Sequence, residues 1–197
     1  MFFEDFISRF DYPGSIVLLE GKRNVLPEDT DSLELLGKKL TSESKYILFR
    51  SGNAKGADEL FSKGVDSIDK KRLEIIGPYT NHRKGNRYGE QFYSLEDLNL
   101  VEDDQVVIQT KSNKKYQKLI EEYVAGNKNK LSSKGAYLLR DTVKVLGSGN
   151  VILPCTFGIF YDDLNEPKSG GTGHTMQICK TNHIEIINQE VWKKWLK

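Results

Sequence analysis

The 197-residue chain is expected to fold as an α/β protein, a three-layer sandwich with a mainly parallel central sheet. Two observations predict this. Short apolar bursts recur without clean alternation of polar and apolar residues, the pattern of strands covered on both faces. Segments with apolar residues at helical spacing separate them, so successive strands are joined by helical crossovers and run parallel. No internal repeat is visible, and no linker rich in Gly, Pro and Ser interrupts the chain. Residues 1–197 therefore read as one domain, a size that a single core serves.

Each element has its own signal. "SIVLLE" (15–20), ending at Gly21, is a first buried strand, and "PEDTDSLELLGKKL" follows with Leu33, Leu36 and Leu40 on one helical face. "KYILFRSG" (45–52) is a second strand running straight into glycine, and "KGADELFSKGV" places Ala57, Leu60, Phe61 and Gly64 on one stripe. "RLEIIGPY" (72–79) is a third strand, stopped by Gly77 and Pro78. "TNHRKGNRYGEQFY" is crowded with turn formers and reads as a loop, and "DQVVIQ" (104–109) as a fourth strand. One helix then carries Tyr116, Leu119, Ile120 and Tyr123, and a second carries Ala136, Leu139, Val143 and Leu146. Residues 124–135 between them are either a disordered loop or a lid. "FGIFYDD" (157–163) resumes the strand signal, followed by helix "HTMQICK", strand "HIEIIN" and a closing helix "EVWKKWL". Trp192 and Trp195 in that last helix fit core packing or a homodimer face.

Composition narrows the function classes. Lys and Arg number 29 against 28 Asp and Glu, a formal net charge of +1, which does not favour nucleic acid as a partner. Cys155 and Cys179 give neither a disulfide framework nor metal spacing, and the three histidines are widely separated, so no metal site is expected. "MFFEDFISRF" carries Glu4 and Asp5 inside its apolar run and has no basic lead, unlike a secretory signal. No stretch approaches the roughly 20 apolar residues of a membrane span. These features predict a soluble, cytoplasmic protein that requires no cofactor.

Ligands of open α/β sheets gather beyond the carboxyl ends of the strands. Four segments fall at such ends: "EGKR" (20–23), "SGNAKGAD" (51–58), "GPYTNHRKGNR" (77–87) and "SGGTGHT" (169–175). The first offers Gly21, Lys22 and Arg23. The second offers Ser51, Gly52, Asn53, Gly56 and Asp58: glycines to turn off the strand, first-turn amides to meet an anion, and a carboxylate suited to ribose hydroxyls. In the last, amides near Gly170, Gly171, Thr172, Gly173 and His174 would cradle phosphate, with Thr172 or Thr175 adding a hydroxyl. His174, Asp58 and Asp162 are the candidate proton carriers. His82, Arg83, Lys84 and Arg87 would neutralise a polyanion if their loop closes over it. Arg140, beside an apolar helical stripe, either salt-bridges to the framework or reaches the pocket, and its neighbour Asp141 is expected to point elsewhere.

Two of these motifs carry a family resemblance. "SGNAKGADELF" resembles the "SGGAxGAD" element, and "FYDDLNEPKSGGTGHTMQICKTNHIEIIN" the later "GGTxxT" strand–loop–helix–strand element, of the SLOG superfamily of Rossmann-like domains. The likeness spans roughly residues 14–190 and is best for the YspA- and YpsA-like members. The superfamily also includes the cytokinin-activating phosphoribohydrolases and the DNA-processing protein DprA. The resemblance implies a pocket for a nucleotide or nucleotide-derived ligand, such as an ADP-ribose-like or nucleoside-monophosphate-like molecule. Gly52, Gly56 and Asp58 match the first motif; Gly170, Gly171, Gly173 and Thr175 fall in the second. Asn53 stands where glycine is usual, a replacement that Asn tolerates because it accepts left-handed geometry. The phosphoribohydrolases carry "PGGxGTxxE", and here Ser169, His174 and Gln177 replace the proline, the threonine and the catalytic glutamate. An amide cannot serve as a general acid or base. The expectation is thus a sensor or carrier that binds a nucleotide-like small molecule, with a hydrolase using another carboxylate as the alternative.

Overall fold

The computed structural model describes residues 1–98, 100, 104–149 and 151–197. Six strands form one sheet in the order β4-β3-β2-β1-β5-β6, every neighbouring pair parallel. They are β1 (Ile16–Gly21), β2 (Leu48–Ser51), β3 (Leu73–Gly77), β4 (Gln91–Ser94), β5 (Phe157–Tyr161) and β6 (Glu185–Ile187). Every residue of β1, β3 and β5 is buried. This is the two-sided cover that their unbroken apolar runs require.

Helices supply that cover. On one face lie α1 (Phe3–Phe10), α2 (Thr30–Glu43), α3 (Ala57–Asp69) and α8 (Gln189–Trp192), around a core of Val17, Leu19, Phe49, Phe61 and Trp192. On the other lie α4 (Gln105–Lys111), α5 (Gln117–Val124), α6 (Lys130–Leu146) and α7 (Gly170–Thr181), packed on Ile76, Leu139, Val143, Phe160 and Ile178. The result is the three-layer sandwich expected from the sequence. Both tryptophans are core residues: the Trp192 indole donates to Phe160 O at 2.9 Å, and Trp195 stacks 5.1 Å from Phe6.

Five stretches differ from expectation. Helix α1 was not anticipated, because its eight residues are read more readily as a chain terminus than as a helix. Its stripe of Phe3, Phe6 and Phe10 packs on Phe157 and Trp195, with ring centroids 4.4 Å apart for Phe10 and Phe157. Residues 104–109 begin a helix, not a strand. The Asp104 carboxylate caps it by accepting from Val106 N at 2.7 Å, and Val106, Val107 and Thr110 are buried while Ile108 is exposed, a helical rather than alternating pattern. Thr110 hydrogen-bonds Thr142 of α6, so tertiary contact overrides the strand preference of the β-branched run. The strand next to β3 is instead β4, four residues at the end of the stretch read as a loop. Residues 125–129 are a short connection closed by the Asn129 side chain, which caps α6. The glycine segment before "HTMQICK" is itself helical, since α7 starts at Gly170.

Candidate functional site

Strand β1 sits between β2 and β5, where the winding of the sheet reverses, so the connections leaving β1 and β5 depart to opposite faces. A crevice opens at such a point beyond the carboxyl ends of the strands. Here it holds a cavity of about 610 Å³. Gly21 ends β1 and Lys22, Arg23 and Asn24 follow it, Ala54 and Asp58 follow β2, and Asp163 and Ser169–Thr172 follow β5. The roof comes from Tyr116, the N-cap residue of α5, and Leu119 within it, and one wall from Lys134, Tyr137, Leu138, Arg140 and Asp141 of α6.

The structure separates the sequence candidates by position. Gly21, Lys22, Arg23, Asp58, Arg140, Gly170, Gly171 and Thr172 line the cavity. Ser51, Gly52, Asn53 and Gly56 do not; they form the β2–α3 turn behind it, where Asn53 takes the left-handed φ of 52° expected for it. Gly173, His174 and Thr175 belong to α7 but face inward. Gly173 is dictated by close approach, since a Cβ there would lie 1.8 Å from Lys168 O. His174 is buried, with Nε2 3.0 Å from Thr142 Oγ1 and its ring edge-on to Tyr116. Burial pushes its pKa down, and Asp141 only partly offsets this. Gln177 is exposed and reaches only Thr181.

Helix α6 joins the two glycine loops. Arg140 Nη1 donates to Gly52 O at 2.8 Å, and the same guanidinium grips Asp141 Oδ1 through Nε and Nη2 at 3.0 and 2.6 Å. The expectation that Asp141 points elsewhere is corrected. Adjacent residues of a helix do diverge at Cβ, but the Arg140 side chain is long enough to curl back to the same buried point. Asp141 Oδ1 also takes Lys144 Nζ at 2.9 Å, and Lys144 donates to Glu20 Oε2 at 2.6 Å. Thr175 Oγ1 completes the chain, 2.9 Å from Glu20 Oε1 and 3.1 Å from Gly171 O.

Three buried carboxyls, Glu20, Asp58 and Asp141, thus meet two buried cations, Arg140 and Lys144. Burial raises Glu20 most and Lys144 opposes it, while Asp141 and Asp58 add to the rise; its pKa is pushed up to about 8. Burial also works against ionised Asp141, but Arg140 and Lys144 outweigh it and hold the pKa low. The cluster therefore favours the protonated form of Glu20 over that of Asp141. Asp58 is fully engaged with the backbone: Oδ1 accepts from Gly21 N at 3.0 Å and Oδ2 from Gly52 N at 3.2 Å, which ties the ends of β1 and β2 together. Asp162 Oδ2 accepts from Lys168 N at 2.8 Å and its Oδ1 stands 3.9 Å from Lys22 Nζ, so it holds the β5–α7 loop from behind.

At the mouth of α7, Ser169 makes no side-chain cap, and among the described residues nothing accepts from the amides of Gly170, Gly171 and Thr172. Lys22 Nζ lies beside them, on Ser169 O and Oγ at 2.8 and 2.6 Å. The 81–87 loop stays outside the cavity. Arg83 pairs with Glu59 at 2.8 Å, and Arg87 lies over the Phe92 ring. His82 is held down to about 4, first by burial and then by Arg140. Sequence reasoning missed Glu20, Lys134, Tyr137 and Asp141. The spacing Lys134–Leu138–Asp141, i, i+4 and i+7 on one helical face, was the available signal.

Parallel strands, a switch-point crevice and a helix N-terminus opening into it make this a Rossmann-like α/β architecture, compatible with nucleotide binding in general. No family model matches the chain, and no curated protein does. Among solved structures it is similar in fold to DNA processing protein A from Helicobacter pylori, described for its single-stranded DNA binding mode. The TM-score is 0.51 at 12% identity, covering 92% of this chain and 67% of that one. The likeness is one of fold, related to the DprA-like arrangement.

That finding corrects the expectation on nucleic acid. A net charge near zero does not set nucleic acid aside when a protein of this fold binds single-stranded DNA. Local surface matters more than net charge. Here Lys128, Lys130 and Lys134 line a second hollow of about 830 Å³ beside Tyr79 and Tyr123. Among the described residues no His, Cys, Asp and Glu group is placed to hold a metal ion, and no helix is long and apolar enough to cross a membrane.

Proposed function

We propose that the protein binds a phosphorylated nucleoside, as a sensor or carrier, in the crevice between β1 and β5. The observation that carries this reading is the uncapped N-terminus of α7. Its free amides at Gly170–Thr172 open into a cavity of about 610 Å³ and stand beside the Lys22 ammonium. Backbone N–H groups and the helix dipole favour an anion there, and Lys22, Arg23 and Lys134 at the cavity wall add positive charge. The half-buried Tyr137 ring, which lines the cavity, offers a stacking surface for a base. Isothermal titration with nucleoside monophosphates and ADP-ribose tests the proposal. Affinity in the micromolar range is expected, and no binding tighter than millimolar across the panel would refute it.

One observation favours a second reading, an N-glycoside hydrolase. Glu20 lines the same cavity, and burial pushes its carboxyl up toward the protonated form that a general acid needs. Release of free base from AMP, CMP or NAD, lost in Glu20→Ala, would establish that reading; no release would leave binding as the whole activity.

A further inference from the structure

The three buried carboxyls around the cavity present six oxygens. Five are engaged: both of Asp58 with backbone amides, both of Glu20 with Lys144 and Thr175, and Asp141 Oδ1 with Arg140 and Lys144. The sixth, Asp141 Oδ2, accepts no hydrogen bond from any described residue. The side chain that bears it is 3% exposed, and Asp141 lines the cavity. It stands over Gly171, 3.0 Å from where a Cβ on that residue would lie, so the missing side chain leaves the space before it open. Oδ2 thus faces the cavity, where a hydrogen-bond donor of a ligand can take the place of water.

A free carboxylate oxygen repels phosphate and asks for a hydrogen-bond donor. It belongs to α6 but lies against Gly171, in the first turn of α7 whose amides would take phosphate. In a nucleotide, the donors nearest the phosphate are the sugar hydroxyls. Resting on the nucleotide-binding reading, we infer that Asp141 Oδ2 accepts a sugar hydroxyl of the bound ligand and makes the site selective for ribo- over deoxyribonucleotides. Arg140 and Lys144 hold the other oxygen and so aim this one. A site built around a buried polar group rejects a ligand that leaves it unpaired.

The experiment measures affinities of the intact protein for the four ribonucleoside monophosphates and their 2′-deoxy and 3′-deoxy counterparts. Loss of one of the two hydroxyls is expected to weaken binding about 10- to 100-fold. Gly171→Ala, at a position without positive φ, sets a methyl 3.0 Å from Oδ2, so the Asp141 carboxylate must give by a few tenths of an ångström; it is expected to bring that ratio close to one, and the melting temperature reports how far the ion cluster is disturbed. Asp141→Asn must point its carboxamide oxygen at Arg140 and Lys144, which turns an NH₂ toward the ligand. The ratio should then fall at least about threefold even if Gly171→Ala abolishes binding altogether. Equal binding of all three sugars by the wild type, or an unchanged ratio in both variants, overturns the inference but not the nucleotide site. Absence of binding by every nucleotide overturns both.

Discussion

Replacing Asp58 by Ala decides whether this acid is a strut or a ligand contact. Its two oxygens satisfy the buried amides of Gly21 and Gly52, at the ends of two neighbouring strands. Each amide left without a partner costs about 1–3 kcal/mol. Removing a negative charge beside Arg140 adds to that, but Asp58 is also one reason that Glu20 stays protonated, so Glu20 ionises more readily and offsets part of the loss. A net cost of about 3–5 kcal/mol follows, because one charge term opposes another. For a chain of this size each kcal/mol lowers the melting temperature by about 2–4 °C, so a drop on the order of 10 °C is expected. Asp58→Asn keeps an acceptor for one amide but turns a donor on the other, and should cost roughly half as much. Scanning calorimetry at pH 7, where the carboxylate is ionised in the unfolded chain, measures both. If both variants melt within about 2 °C of the wild type while nucleotide binding collapses, the strut reading is wrong and Asp58 belongs to the ligand.

Three further outcomes are expected. The raised Glu20 pKa means that the folded state holds a proton which the unfolded chain has already released between the ordinary carboxylate range and about pH 8. The stability it contributes is complete at low pH and lost as pH rises through about 8, so urea midpoints of the wild type should decline across that window and those of Glu20→Gln should decline less. Lys22→Met removes the ammonium beside the α7 amides and should weaken phosphate-bearing ligands about tenfold or more, with a smaller effect at high salt, as titrations at two ionic strengths would show. Gly173→Ala forces apart α7 and Lys168 O, and should destabilise the protein by about 1–3 kcal/mol in urea unfolding; a neutral result would mean that the loop before α7 yields freely.

β1, β2, β3 and β5 were legible because burial on both faces leaves little room for polar residues, and the edge strand β6 because Ile184, Ile186 and Ile187 still make an apolar run. β4 was hidden because an edge strand is only half covered: Gln91 is exposed and Phe92 and Tyr93 are half-buried, in a stretch dominated by Gly, Asn and Arg. Residues 104–109 misled for the opposite reason, as Val106 and Val107 look like strand material until Asp104 caps them. The glycine loops announced the site, yet their most informative neighbours stayed hidden. Glu20 reads as the polar end of an apolar strand, and nothing local to residues 140–144 tells that three charges on one helix will be buried together. Only the packing of α6 across the carboxyl end of the sheet does so.

That packing has a mechanical consequence. One turn of α6 holds the β2 loop by the Arg140–Gly52 bond and holds α7 by the Thr142–His174 bond. The two walls of the crevice are thus hung from a single rigid rod. A shift of α6 strains both bonds together, so the two walls of the crevice share a single support.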